Sequence, residues 1–519
     1  MLAGGGLFAL YLRQAQTWRV DADAAAVALQ AQDVLHGNVL LHGWWLADVT
    51  FYTIELPEYV LVGKLTGINS NLVHVCAALT YTLLVLLAAA LAKSRARGRE
   101  GIVRALLAAG IMLSPGIYHG TNALLGAPDH TGTGVPVLLV LLLLDRAGPG
   151  GRPPGTPRDR GDPSPRTPLG RVLVPVATCL MLVWAQVGDP LATYAAAAPL
   201  ALVGGGRAMA GIARRRRRGR RGEWPYDLSL TAAAVGSVPL AYGSVALIHS
   251  RGGYSVAPVP GPLLASLAAI PSHALAVGQS VLVLFGADFF GEPSRTGAAL
   301  ALVHMLGVAV VALALLTGIW SLFRLDRVGQ VLVVGMLVML GAGVFSTHVT
   351  DVSFAHEIAV VLPFGAVLAG RLLGGPLTRV RLEPLLAVGL AAYLGALCYT
   401  ATEWVPGPAQ NQAAADWLVG HGFTSGLAGY WQADSITFDS GGRVSVAPLV
   451  PGTTIVYHWE ANAAWYDPQS HYANFVITEA PSGVYEQAFG RPADIYHYQQ
   501  YTIMVWRKNL LPLVSAGGG

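Results

Sequence analysis

Long apolar runs dominate the chain, and short basic or acidic segments interrupt them. Windows long enough to cross a bilayer, about 20 residues, fall near 2–18, 71–92, 102–118, 133–145, 171–187, 190–206, 228–249, 297–320, 329–347, 356–373 and 384–400. They predict about eleven transmembrane helices. The stretch 250–295 is apolar too, but Pro258, Pro260, Pro262 and Pro271 break it, which predicts interfacial or re-entrant helices. After residue 401 the pattern changes. "TTIVYHW", "YANFVIT" and "YTIMVWRK" alternate and are rich in Val, Ile, Thr, Tyr and Trp, a strand signature. "NQAAADWLVGHG" reads as a helix stopped at glycine. The expected fold class is a polytopic α-helical membrane protein, residues 1–400, carrying a small extracytoplasmic α/β domain, residues 401–519.

Composition agrees. Of 519 residues, 53% are hydrophobic and 12% charged, against about 25% charged in ordinary soluble proteins. The net charge of +4 hides an asymmetry. "AKSRARGRE", the Pro/Arg-rich 146–168 linker, "ARRRRRGRRGE", "FRLDR" and "LTRVR" all fall on one side of the predicted bundle. Basic loops stay cytoplasmic, which places the chain in the plasma membrane as a multi-pass protein with its C-terminal domain outside. Arg214 to Arg218 then read as a membrane anchor, and no nucleic-acid partner is expected. Cys76, Cys179 and Cys398 lie in apolar runs and give no disulfide framework. "MLAGGGLFALYLRQAQ" lacks the basic start of a signal peptide and reads as a shortened first transmembrane helix.

The outer segments hold the ionisable residues. Asp21 and Asp23 follow the first helix in "VDADA". "HGWWLADVTFYTIELPEY" gathers His42, Trp44, Trp45, Asp48, Glu55 and Glu58. An interfacial aromatic belt uses these residue types, and so does a sugar site, with flat rings against C–H faces and acids against hydroxyls. "GAPDHTGTG" holds Asp129 and His130 ahead of the fourth helix. Its Gly/Thr turn suits an anion at a helix start equally with an ordinary cap by Thr131 or Thr133. Asp189 in "VGDP" reads as a hairpin turn and cap. "STHVTDVSFAHEIAVVLPF" sets His348, Asp351, His356 and Glu357 at helix ends, where ionisable residues are often functional. No Walker loop, Gly-rich loop after a strand, or Cys/His metal spacing is present.

This order of features resembles the GT-C superfamily of lipid-phosphate-sugar glycosyltransferases, which includes protein O-mannosyltransferases and the aminoarabinose transferase of lipid A. The features are an acidic first outer segment, a second outer segment with Asp129, and a C-terminal outer domain. "GLAGYWQADSITFDSGGRVSVAPLV", "YANFVITEAP" and "YTIMVWRKN" resemble the tail of actinobacterial GT-C-like proteins. The resemblance implies transfer of a sugar from a polyprenyl-phosphate donor to a cell-envelope acceptor (glycan, lipid or protein) by inverting displacement. It assigns Asp21 or Asp23 as base and sets Asp129 where the family has a second-loop acid; with Asp129, the outer residues Asp48, Glu55, His130, His356 and Glu357 are the expected substrate-binding set. No cofactor is required, and a divalent metal is compatible with the chemistry. Two departures stand out. The family's Asp-Glu pair is here Asp21-Ala22-Asp23, and "AHEIAVVLP" lacks the family's arginine near that proline.

Two other classes use different residues. A lipid-linked-sugar transporter would place ionisable groups at mid-helix, whereas these acids sit at outer ends. A membrane scaffold binding cell-wall glycan would need the C-terminal domain but not Asp21 or Asp23. Sidedness is tested by labelling. A cysteine introduced near residue 430 is expected to react with an impermeant maleimide in intact cells, and reaction only after lysis would reverse the layout.

Overall fold

The computed structural model describes residues 2–116, 119–126, 130–147, 168–218, 223–259, 261, 263–289, 295–349, 351–407, 409–479 and 483–516. Its helices run in chain order as α1 (Leu2–Ala15), α2 (Ala22–Leu35), α3 (Leu56–Thr66), α4 (Ser70–Lys93), α5 (Gly98–Ile111), the single turn α6 (His119–Thr121), α7 (Gly134–Ala147), α8 (Pro168–Gly188) and α9 (Ala198–Arg218). They continue as α10 (Trp224–Ser250), α11 (Ile270–Leu284), α12 (Arg295–Trp320), α13 (Arg327–Phe345), α14 (Val361–Arg379), α15 (Glu383–Glu403), α16 (Gln412–Gly420), α17 (Tyr430–Asp439) and α18 (Gly483–Phe489). Each of the eleven apolar windows holds a helix.

Eight described helices are long and apolar enough to cross a membrane: α4, α8, α9, α10, α12, α13, α14 and α15. α1, α5 and α7 have 14 residues each, or about 21 Å at 1.5 Å per residue. That is short of a hydrocarbon core of about 30 Å. α14 is the most enclosed span and α15 the least.

Charge inside the bundle is paired, as a low-dielectric interior requires. At the arginine-rich end the buried Arg327 donates to Asp227 at 2.6 Å, and its guanidinium lies over the Tyr226 ring. Arg371 on α14 reaches Asp145 on α7 at 3.0 Å and the Leu91 carbonyl on α4 at 3.1 Å. These contacts lock α4, α7, α10, α13 and α14 at one end.

The opposite end carries a second layer. The segment read as an outer loop is folded: α2, the strand β1 (Trp44–Leu46) and α3 cover the bundle. Asp21 caps α2, its carboxylate accepting from the Ala24 amide at 3.1 Å. The six alanines in "ADAAAVALQAQ" are small enough to let α2 sink between α3 and α17, and Ala22 and Ala24 to Ala31 are buried. Asp33 fastens the far end of α2, accepting from the Trp44 indole at 2.7 Å and from Asn38 at 2.9 Å.

Beyond it lies the α/β domain. β3 (Ser425–Gly429), β4 (Ser445–Leu449), β6 (Phe475–Thr478), β7 (Asp494–Tyr498) and β8 (Tyr501–Val505) form a sheet in the order β4-β3-β6-β8-β7, parallel across β4-β3-β6 and antiparallel beyond. Alternation splits its side chains. Phe475, Ile477 and Ile503 meet α16 and α17, and Val476 and Met504 meet α18. "TTIVYHW" departs from expectation. Only Ile455 and Val456 make isolated bridges, and the rest is an irregular loop leading into β5 (Ala461–Asn462). β5 leaves its own domain and pairs with β1, on whose other edge lies β2 (Ser255–Val256).

Asp227→Ala removes the carboxylate facing a buried arginine. Breaking a buried pair costs about 3–5 kcal/mol, so the melting midpoint of the detergent-solubilised protein is expected to fall by several degrees. An unchanged midpoint would show the pair to be solvated.

Candidate active site

The expected site residues fall into two groups at the acidic end. The first surrounds the start of α2. Asp21 is committed to its cap, while Asp23, half-buried, accepts a hydrogen bond from the Tyr430 hydroxyl of α17. Two acids that sequence reasoning missed join it. Glu460 is buried, accepting from the Ala47 amide at 2.7 Å and from the Gln30 side chain. The β5–β1 register sets it there, because Ala461 pairs with Trp45. Its backbone is left-handed at φ 49°, uncommon for a non-glycine residue. Asp434 on α17 is fully buried, and its oxygens have no hydrogen-bond partner among the described residues.

Burial governs these acids. It pushes the Glu460 carboxyl up to about 8, with Asp23 and Asp48 adding to the rise against the Ala47 and Gln30 donors. Burial also holds Asp434 well above the carboxylate range, reinforced by Glu460 and Asp23. No signal in the sequence marks either residue, since their neighbours lie more than 400 positions away.

The second group lies on the bundle side. His130 donates Nδ1–H to the fully buried Asp189 at 2.9 Å, and its Nε2 faces Glu357 at 3.4 Å. Asp189 also accepts from the Thr133 hydroxyl and from the Leu191 amide at 2.8 Å. It therefore makes the turn expected of it and orients the imidazole as well. Burial alone would lower the His130 pKa, but Asp189 and Glu357 outweigh it and keep the ring protonated. The Asp48 carboxyl is raised by burial, with His130 opposing and Glu357 adding. Glu55 packs against Gly132, where a Cβ would lie 1.9 Å from its Oε1, so only glycine fits.

Asp48 links the two groups, interacting with Glu460 on one side and with His130 and Glu357 on the other. Asp129 lies outside the described residues. His356 is half-buried beside Glu357. His348 and Asp351 are exposed, and Asp351 caps a turn through the Ser353 amide. Neither threonine is left for an anion: Thr133 serves Asp189, and Thr131 donates to the Ala123 carbonyl at 3.2 Å. Among the described residues no three His, Cys, Asp or Glu side chains are placed to hold a metal ion.

The chain is similar in fold to ArnT from Cupriavidus metallidurans bound to undecaprenyl phosphate, with TM-score 0.55 and 13% identity over 100% of this chain and 99% of that one. The apo state of that ArnT gives TM-score 0.43 and 14% identity over 100% of both chains. The Archaeoglobus fulgidus oligosaccharyltransferase tethered with an acceptor peptide gives TM-score 0.46 and 12% identity over 92% and 69%. No family model and no curated protein matches the chain. The protein shares the fold of that ArnT: a bundle with eight described helices long and apolar enough to cross a membrane, carrying a C-terminal α/β domain.

Docking of that domain is expected to depend on pH. Glu460 holds its proton more tightly when folded, about 8 against 4.5. The folded state therefore binds more protons across that window, and stability falls as pH rises through it. The steepest slope is about 1.4 kcal/mol per pH unit for one such group. The melting midpoint should drop from pH 5 to pH 9 in the wild type, and Glu460→Gln should flatten that drop. An equal slope in the variant would exclude Glu460 as its source.

Proposed function

We propose that the protein transfers a sugar from a polyprenyl-phosphate donor to a cell-envelope acceptor on the extracytoplasmic face of the plasma membrane. One observation carries the proposal. Asp23 and Asp48 stand half-buried where the bundle meets the C-terminal domain, in a fold shared with ArnT bound to undecaprenyl phosphate. A lipid-linked donor must react at headgroup depth, and on this proposal the junction lies there.

Asp23 is the base. A hydroxyl hydrogen bond favours the ionised carboxylate, and Tyr430 supplies one. The acceptor O–H attacks the anomeric carbon as its proton passes to Asp23. The carbon–oxygen bond to phosphate breaks, and the electron pair leaves with polyprenyl phosphate. Attack opposite the leaving group inverts the anomeric centre without a covalent enzyme intermediate. The leaving phosphate needs positive charge or N–H donors nearby; His130, with Nδ1 on Asp189 and Nε2 facing Glu357, orients those two carboxylates beside it. Asp48 and Glu357 orient sugar hydroxyls between the two.

The test is transfer by purified protein from a panel of polyprenyl-phosphate sugars. General-base loss costs about 10²–10⁴-fold, so Asp23→Asn should lower turnover that far with donor binding kept. Asp21→Asn keeps a side-chain oxygen able to cap α2 and should be mild. If Asp21→Asn is the crippling change and Asp23→Asn is not, the base is misassigned. If no donor in the panel is consumed, the transferase proposal fails.

A further inference from the structure

We infer that the C-terminal loop Tyr457–Glu460, with Trp45 and Tyr430, is a saccharide-binding subsite, so that the acceptor is a glycan. The loop is fixed in front of α2 at its end, where Glu460 is held by the Ala47 amide and Gln30, and Ala461 pairs with Trp45. Behind it, the Tyr457 amide donates to the Pro448 carbonyl at 3.1 Å.

The rings this presents are ordered but not enclosed. His458 lies 4.2 Å from Trp45 with the planes tilted by 31°. Tyr457 and Trp459 are nearly parallel at 19°, their centroids 6.4 Å apart, and Tyr430 meets Tyr457 edge-on at 6.0 Å. Trp45, Tyr457, His458 and Trp459 are all half-exposed, and Trp45, Tyr457 and Trp459 belong to none of the apolar cores. Aromatic residues bring large apolar faces to a contact, and here those faces are left uncovered at the junction of two folded layers.

Beneath the rings lie hydrogen-bond acceptors in excess of donors. Tyr457 and Tyr430 both feel the Asp23 charge, and Asp434 lies behind Tyr430, wholly buried with neither oxygen receiving a hydrogen bond among the described residues. A buried polar group without a partner is costly; Asp434 itself is out of a ligand's reach, and the half-buried Asp23 is the acceptor that a ligand rich in hydroxyl donors would meet. A sugar ring offers both halves of the match: a C–H face for the rings and hydroxyls for the carboxylates. The side of approach separates acceptor from donor. The donor is tied to the bilayer and reaches Asp23 from the bundle, whereas this loop belongs to the domain on the far side of α2. Only the word "acceptor" rests on the proposed transferase function; saccharide binding does not.

The test is calorimetric titration of the full-length protein in detergent with maltotetraose, mannotetraose, xylotetraose and arabinotetraose. At least one should bind saturably. Trp459→Ala and Tyr457→Ala should each weaken it about tenfold, the scale of one lost stacking contact. Trp459→Phe and Tyr457→Phe should restore most of the affinity, which a fold defect would not. If none of the four binds, or the alanine variants bind as well as wild type, the subsite is refuted. Saccharide binding by a protein that consumes no donor would leave the subsite standing and remove the transferase proposal. Transfer to a peptide or lipid without saccharide binding would do the reverse.

Discussion

Ala461 and Asn462 pair with Trp45 and Trp44, and this short antiparallel contact holds the C-terminal domain against the bundle. Few residues are involved, yet most of the acidic end follows from them. The pairing carries Glu460 to the Ala47 amide, and from there to Gln30 in the middle of α2. Phe438 joins the apolar cluster of α2 and α3, while Tyr430 reaches Asp23. A two-residue strand pair is weak alone. It is supported here by burial on one side and by Asp33 on the other, whose carboxylate takes the Trp44 indole and the Asn462 amide.

The two halves of the site handle negative charge in different ways. On the bundle side Asp189 and Glu357 share the imidazolium of His130, so part of their negative charge is offset by a positive one. On the domain side the charges acting on Asp434 are other carboxylates, and balance comes from protons. A carboxylate surrounded by carboxylates cannot remain fully ionised in a low-dielectric site. Asp23 is the exception by position: half-exposed and hydrogen-bonded by a hydroxyl, it retains water and can serve as a base.

Lipid imposes a strong pattern on sequence, so the bundle was legible and the eleven apolar windows all contain helices. The fold of the first outer segment was not. An alanine-rich stretch with two aspartates has little apolar contrast, and α2 is buried because its side chains are small rather than because they are greasy. "TTIVYHW" shows the opposite error: its β-branched and aromatic residues suit a strand, but its rings lie at the junction with α2 instead of in a sheet. Asp189 looked like a turn residue and is one, while its second oxygen orients His130. Asp434 and Glu460 left no trace, since what marks them is contact with Asp23, Gln30 and Ala47 across the whole chain.

The short helices explain why chemistry can occur at this depth. α7 begins only at Gly134, although its other end reaches the arginine-rich face with Arg146. Ahead of it lies a turn that holds the buried His130, Thr131 and Thr133. Irregular backbone at membrane depth is tolerated only where protein or an aqueous cavity surrounds it. α2, α3 and the C-terminal domain provide that cover, and their carboxylates line its inner side. On the proposed function, a lipid-borne donor rising along the bundle meets His130 and Glu357 first, and a hydroxylated acceptor entering under the domain meets the Tyr457–Glu460 loop first. Asp48, which interacts with both groups, marks where the two paths join.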